Sequence, residues 1–397
     1  MTMKRILAIV LIFSLGTAGW FVLGQVNWVR SHDTSSTLSA SIQSLWGAPI
    51  VQAAPQLRVK VPGTERMRNI FPTSNHIRAD IKLEQRRKGL VWYPTYTVDF
   101  SARYEVTNAA RIAQDIRLNF LLPSKNATYE NVSLKIGDKL ENFSASTGFG
   151  FQRIIRLRPK ASQTIEVHYQ TRGVGSWLYK LATHNGRVSG LDVAVTTNFE
   201  AVDYFDGSLS PMRTEATEDG LKILWQANEL ITNQDIGITL PQKLNPGPLA
   251  ARMSFFAPVC LLFFFVLVTA ICVTRKIDIH PMHYLFVNAG FFAFHLLFAY
   301  TIDVINLHLA FLISSIVSVV IVVRYLSSAL GEVFPWKIAA AGQMVYLVLF
   351  SYSFFIKGMT GLTVTIASIV TLAVLMQITS KTNWNAVFVK PLAAAKA

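Results

Sequence analysis

The sequence predicts a membrane protein, in which an α-helical bundle of six transmembrane spans carries an all-β, antiparallel, sandwich-like domain in water. Three observations predict it. The chain has 397 residues, 51% hydrophobic and only 15% charged, with mean hydropathy +0.36; soluble domains carry about 25% charged residues. The apolar residues are concentrated in one run near the start and a dense block from Met253 to about Thr379. Between these lie about 230 residues in which apolar and polar positions alternate, most clearly from Tyr93. The same composition excludes a disordered chain, and two cysteines exclude a disulfide framework.

A span needs about 20 mostly apolar residues to cross a hydrocarbon core about 30 Å thick. Ile6–Leu23, preceded by Lys4 and Arg5, meets this. It reads as an uncleaved signal anchor (residues 1–24), with a cleaved signal peptide as the alternative. Five further spans follow in a bundle over 251–380: Met253–Val273, Tyr284–Ile302, Leu307–Val323, Ile338–Ile356 and Leu362–Ile378. With the N-terminus inside, the inner segments hold Lys4, Arg5, Arg275, Lys276, Arg324, Lys337, Lys381, Lys390 and Lys396, and the short outer loops hold only Lys357. This is the positive-inside pattern. Both termini, including the tail 381–397, are therefore expected in the cytoplasm and residues 25–252 outside. Trp28, Trp336 and Trp384 fall near span ends, where indoles favour the interface. Cys260 and Cys272 lie on one helix, about 18 Å apart, too far to bridge.

The outer stretch opens with a weakly patterned segment, 25–92, read as a stalk or the start of the domain. Ser31–Ser44 within it is polar, a stalk or short helix. Over 93–250 period-two strands are expected. Tyr96, Val98, Phe100, Ala102, Tyr104 and Val106 alternate with Thr97, Asp99, Ser101, Arg103 and Glu105, the pattern of a half-buried strand. Further strands are expected around Ile116–Phe120, Val132–Ile136, Ile165–Tyr169, Leu191–Thr197, Leu221–Trp225 and Ile236–Leu240. Gly173-Val174-Gly175 breaks the series, so one large sandwich or two lobes both fit. Arg153, Arg156 and Arg158 read as the polar face of a strand.

The search for chemistry gives few candidates. His32, His76, His168 and His184 are scattered, without zinc-site spacing. No HExxH, GxSxG, P-loop or dinucleotide fingerprint is present. No catalytic, cofactor or metal residues are expected. The run Arg86-Arg87-Lys88 is a candidate basic patch for anionic headgroups or an envelope polyanion, or a solvated strand end. Within the third span Asn288 and His295 are seven positions apart, about two turns, and share a face. Ionisable groups inside a membrane are functional candidates by default, so this face is either a polar path or a helix–helix contact. His280 and His283 lack a third ligand. Ala310, Ser314 and Ser318 form a small-xxx-small row for close helix approach, and Ala339–Gly342 offers a facing surface.

The third span opens with His280-Pro281-Met282-His283-Tyr284-Leu285. This segment resembles the His-Pro-Met-x-Tyr-Leu segment of CreD-type inner-membrane proteins of Gram-negative bacteria. The similarity continues through His295-Leu296-Leu297-Phe298-Ala299, Tyr325-Leu326 and the tail Gln377-Ile378-Thr379-Ser380-Lys381-Thr382-Asn383-Trp384. It is best over 275–385; the outer domain is shorter than in typical members. The order of one N-terminal anchor, a large outer domain and a compact bundle of spans also matches, and the resemblance implies an inner-membrane protein linked to envelope integrity and envelope stress. It supplies no catalytic residues to carry over.

Net charge +14 divides between a periplasmic excess of 27 − 20 and a membrane-part excess of 10 − 3. The second is topological, so nucleic acid is not an expected partner. The expected partners are membrane lipids and, for the periplasmic domain, an envelope protein, peptidoglycan or anionic lipid. Oligomeric state is not written in the sequence. The expected role is non-enzymatic support or sensing of the envelope. The alternatives are a transporter or lipid-handling subunit, and a membrane-tethered enzyme.

Overall fold

The computed structural model describes residues 3–88, 91–141, 149–331, 334–356 and 358–380. The tail 381–397, with Lys381, Trp384, Lys390 and Lys396, lies outside the described residues, as does Lys357. The chain forms two compact units, Met1–Ser35 with Leu244–Ala397, and Ser36–Lys243.

The membrane unit holds six helices long and apolar enough to cross a bilayer. They are α1 (Met3–Trp46, whose span is Lys4–His32), α2 (Pro246–Thr274), α3 (Pro281–Thr301), α4 (Leu307–Leu330), the composite α5 (Trp336–Phe355) and α6 (Thr360–Thr379). The ends run a few residues past the apolar runs because helix boundaries follow caps rather than hydropathy. Pro at the first turn starts α2 and α3, where its missing N–H costs nothing. Asn306 caps α4 by accepting from the His308 N–H at 3.0 Å. α5 is not a plain helix: after Gln343 it passes through a π-helical turn, Met344–Leu349, and ends in a 3-10 turn, Ser353–Phe355. α2 is the most buried of the six and α6 the least.

Sixteen strands make the β unit among the described residues. They are β1 (Ile50–Ala53), β2 (Gln56–Lys60), β3 (Met67–Ile70), β4 (Ser74–Lys88), β5 (Val91–Thr107), β6 (Gln114–Leu121), β7 (Tyr129–Ile136), β8 (Lys139–Glu141), β9 (Gly150–Leu157), β10 (Ser162–Val174), β11 (Ser176–Lys180), β12 (Arg187–Thr197), β13 (Asp203–Tyr204), β14 (Arg213–Ala216), β15 (Leu221–Ile231) and β16 (Ile236–Thr239). An eight-stranded sheet runs β14-β15-β12-β4-β5-β10-β7-β8, and two four-stranded sheets run β1-β11-β16-β13 and β3-β2-β6-β9. Pairing is antiparallel except for β1–β11 and β4–β12, which are parallel. These two pairs modify the all-antiparallel expectation.

Strand structure begins at Ile50, well before the patterned region expected from 93. In β4, Ile77, Ala79 and Ile81 are buried and alternate with exposed His76, Arg78, Asp80 and Lys82. A strand whose outward face is all charge, and whose inward face includes a small alanine, reads as linker by composition. Leu38, Ile42 and Trp46, from the last turns of α1, pack with Val91, Tyr93 and Val174, so Ser31–Ser44 is helix.

All three sheets share one hydrophobic core. Phe100 of β5 stacks on Tyr169 of β10 at 4.9 Å and lies 6.3 Å from Tyr179 of β11. The Tyr104 and Tyr179 hydroxyls hydrogen-bond at 2.9 Å across the sheets. Gly175, at φ +81°, turns the chain out of β10 and into β11 of a second sheet. The Gly173–Gly175 breaker is thus a crossover within one core, not a boundary between lobes. In β9 the expected arginine face is divided. Arg156 and Ile154 point outward, whereas Arg153 lies on the side of Phe151 and Ile155 and pairs with Glu141 at 2.8 Å.

Candidate functional site

The resemblance segment is a helix-start device. His280 is extended, at φ −82° and ψ 143°, and its Nδ1 accepts from the Met282 N–H at 3.3 Å. Pro281 follows at the first helical position. Histidine here takes the cap role usually filled by Ser, Thr, Asp or Asn. Tyr284 is buried and hydrogen-bonds Thr269 of α2 at 2.7 Å. His283 bonds the Tyr325 hydroxyl of α4 at 2.9 Å. Met282 and Leu285 are exposed. The segment thereby fixes the start of α3 against α2 and α4.

Asn288 and His295 both face α1. Asn288 donates Nδ2 to the Ile12 carbonyl at 3.1 Å, and a Cβ on Gly16 would meet its amide at 2.3 Å. His295 Nδ1 bonds the Phe291 carbonyl at 3.0 Å, and its ring meets the fully buried Trp20 edge-on at 5.7 Å. Because that carbonyl accepts, Nδ1 carries the proton and Nε2 is left as an acceptor. His295 Nε2, Asn288 Oδ1 and Trp20 Nε1 are buried without partners.

Deeper in the bundle, Ser318 donates to the Gly290 carbonyl at 2.8 Å and receives Gln343 Nε2 at 3.1 Å. A Cβ on Gly290 would meet Val322 at 2.3 Å, so the small row on α4 permits the close approach expected of it. Ser314 Oγ and Gln343 Oε1 are also buried and unpartnered. Gln343 immediately precedes the π-helical turn, an irregularity common at functional sites. Sequence reasoning reached Asn288, His295, Ser314 and Ser318 but not Gln343 or Trp20. A glutamine inside an apolar run was the available signal for the former.

Arginines mark both ends of the α1 span. Arg5 bonds Asp278 in the α2–α3 connection, and Arg30 bonds Asp303 in the α3–α4 connection at 2.8 Å. Arg5 holds the Asp278 carboxyl below its usual range. The pairs are 25 positions apart on α1, about 37 Å of helix, close to a bilayer's thickness. They place the start of α1 on the same side as the α2–α3 connection.

The candidate basic patch is not a free one. The Arg86 guanidinium lies 3.5 Å over the Trp46 ring and bonds Glu84 at 2.6 Å. Lys88 donates to Ser41, and Arg87 also has an interaction partner. The run clamps the end of α1 within the β unit.

The histidines of the aqueous stretch do not converge. His32 stacks on Trp28, His184 lies 5.2 Å from Phe71, and His168 faces Asp99 at 3.4 Å. His76 and Arg78 both bond Asp192, at 2.9 and 2.7 Å, and Gln226 adds a third bond at 3.1 Å. Burial raises the Asp192 carboxyl, but these hydrogen bonds outweigh it and hold the group well below the usual carboxylate range. Among the described residues no three His, Cys, Asp or Glu side chains are grouped to hold a metal. Burial raises the core tyrosines Tyr96, Tyr104, Tyr169 and Tyr179, so they stay neutral.

The profile of the family described as Inner membrane protein CreD matches residues 39–385. The chain belongs to that family. The match takes in the β unit from the end of α1 onward, well beyond the 275–385 segment where the resemblance is most visible. No curated protein matches. Among solved structures, a candidate nutrient binding protein of Legionella pneumophila is similar at 11% identity, covering 62% of this chain and 84% of its own, with TM-score 0.32. That likeness is too slight to build on. CreD membership and six membrane-length helices make this an inner-membrane protein.

Proposed function

We propose that this CreD-family chain supports or senses the state of the cell envelope without catalysing a reaction. In this reading residues 25–252 are periplasmic, both termini are cytoplasmic, and the β unit engages an envelope protein, peptidoglycan or anionic lipid. The observation that carries it is the plan of the chain, in which a 208-residue β unit (243 − 36 + 1) interrupts six membrane-length helices after the first. A large folded unit of that kind supplies a surface for reading conditions outside the membrane. The test is a chromosomal deletion, expected to alter sensitivity to detergents, antibiotics and colicins; unchanged sensitivity to all three overturns the reading. Reporter fusions after Lys276 and Ala397 should read cytoplasmic and one after Lys180 periplasmic; a periplasmic Ala397 overturns the topology.

The unpartnered atoms of Asn288, His295, Ser314 and Gln343 favour one second reading, a transporter or lipid-handling subunit. Here they line a polar path across the bundle. His295→Leu is then expected to abolish the phenotype with protein level and thermal midpoint retained. A normal phenotype returns the residue to helix packing.

A further inference from the structure

The sheet β3-β2-β6-β9 places two arginines directly opposite each other on its outward face. Arg58 of β2 pairs in register with Arg117 of β6. Both side chains are exposed, on strands whose inward residues, Leu57, Val59, Ile116 and Leu118, are buried. Directly opposed residues on neighbouring strands have Cβ atoms about 5 Å apart, and like charges there are destabilising. Among the described residues neither pairs with a carboxylate within 4 Å; Asp115, two positions from Arg117 on the same face, is turned to Arg156. The same row ends in Asn69 on β3 and Ile154 on β9. In the neighbouring row, by contrast, Lys60 is paired with Glu65 at 2.7 Å and Arg156 faces Asp115 at 3.9 Å. On the other side runs a row of three carboxamides in register, Gln56, Asn119 and Gln152. The arginine pair and the carboxamide row line a broad depression of about 800 Å³.

We propose that Arg58 and Arg117 form a site for a multiply charged phosphate oxyanion, a phosphate monoester or diphosphate group. Two guanidinium forks side by side offer parallel donors to the oxygens of a tetrahedral group. Two positive charges are neutralised by an anion of two or more charges and only half so by a monoanion. Gln56 and Asn119 of the carboxamide row add N–H donors without adding charge. Arg86 and Lys88 of the expected basic patch are held in internal contacts, whereas Arg58 and Arg117 are opposed in register on an exposed face. The site stands apart from the envelope role proposed above, because it is read on purified protein and that role in cells.

The test is calorimetric titration of the detergent-solubilised full chain with sodium diphosphate at low ionic strength. Arg58→Gln/Arg117→Gln is expected to weaken binding about 10-fold or more. The charge-matched control Lys82→Gln/Lys222→Gln, on the eight-stranded sheet, is expected to leave it unchanged. Arg58→Lys/Arg117→Lys keeps the charge but loses the forks, and is expected to fall between. Monomeric dihexanoyl phosphatidylglycerol, a monoanionic diester, is expected to bind at least 10-fold more weakly than diphosphate. Absence of diphosphate binding, equal loss in the control, or preference for the monoanionic lipid each overturns the assignment. A thermal scan of every variant separates a lost site from a lost fold.

Discussion

The two units meet the buried carboxamides at their centres differently, although the β unit also leaves Gln85 Oε1, Arg86 Nε, Asn119 Oδ1 and Trp177 Nε1 without a hydrogen-bond partner among the described residues. In the β core, fully buried Gln52 accepts the Tyr169 hydroxyl at 2.8 Å and donates to the Ala53 and Leu121 carbonyls. Asn108 gives its amide to the carbonyls of Ile112, Leu157 and Arg158. In the membrane unit Asn288, His295 and Gln343 each keep one buried atom unpartnered, and Ser314 and Trp20 keep theirs. An unsatisfied buried group costs about 1–3 kcal/mol, and the hydrocarbon around a bundle offers no water to relieve it. Gln52 and Asn108 are thus satisfied by the β fold itself, whereas the carboxamides of the bundle each keep one atom open where the cost is higher.

Paired isosteric substitutions test this difference most directly. Gln52→Leu strips partners from Tyr169 and from two carbonyls, and should cost about 3 kcal/mol in denaturant unfolding of the β unit. Gln343→Leu removes an amide that is only half satisfied, and should change the stability of the membrane unit by less than about 1 kcal/mol. Equal losses at the two positions would erase the contrast. A smaller effect, about 1 kcal/mol at neutral pH, is expected for Asp192→Asn, which weakens the bonds from His76 and Arg78. The Asp192 carboxyl is depressed in the folded chain, so its contribution is complete above the unfolded value of about 3.9 and is lost as pH falls below it. Thermal midpoints of wild type and variant should therefore differ at pH 7, and the gap should begin to narrow only below about pH 4. A gap as wide at pH 2.5 as at pH 7 refutes the ionic account. The smallest effect has the opposite sign. Arg117→Gln relieves the repulsion from Arg58 and should raise stability by a few tenths of a kcal/mol at low salt, fading as salt screens it.

The spans were legible in the sequence because twenty apolar residues have few other uses. The alternation in β5 was legible because large inward residues meet polar outward ones. β4 was obscured by its charged outer face. The Arg58–Arg117 doublet could not be read at all, since the two residues are separated by three strands of sequence and meet only through register. The run Arg86–Lys88 was legible as consecutive charges, but not its contacts, because Trp46 and Ser41, which meet Arg86 and Lys88, lie about 40 positions earlier. The shared face of Asn288 and His295 followed from helical spacing. Which helix it met did not, because α1 and α3 are separated by the whole β unit.

That separation has a consequence for how the protein is made. Trp20 finds its packing partners Phe292 and His295, and Arg5 and Arg30 find Asp278 and Asp303, only after the ribosome has passed residue 300. At about 5–20 residues per second, α1 emerges tens of seconds before any of them. During that interval it sits in the bilayer with its glycine notch at Gly16 and its indole uncovered, while the entire β unit is synthesised and folds. The first helix made thus waits across the whole β unit for its first neighbour, α2, through Phe13–Phe265 and Phe21–Phe255, and its polar and ionic contacts are complete only once α3 and Asp303 have followed.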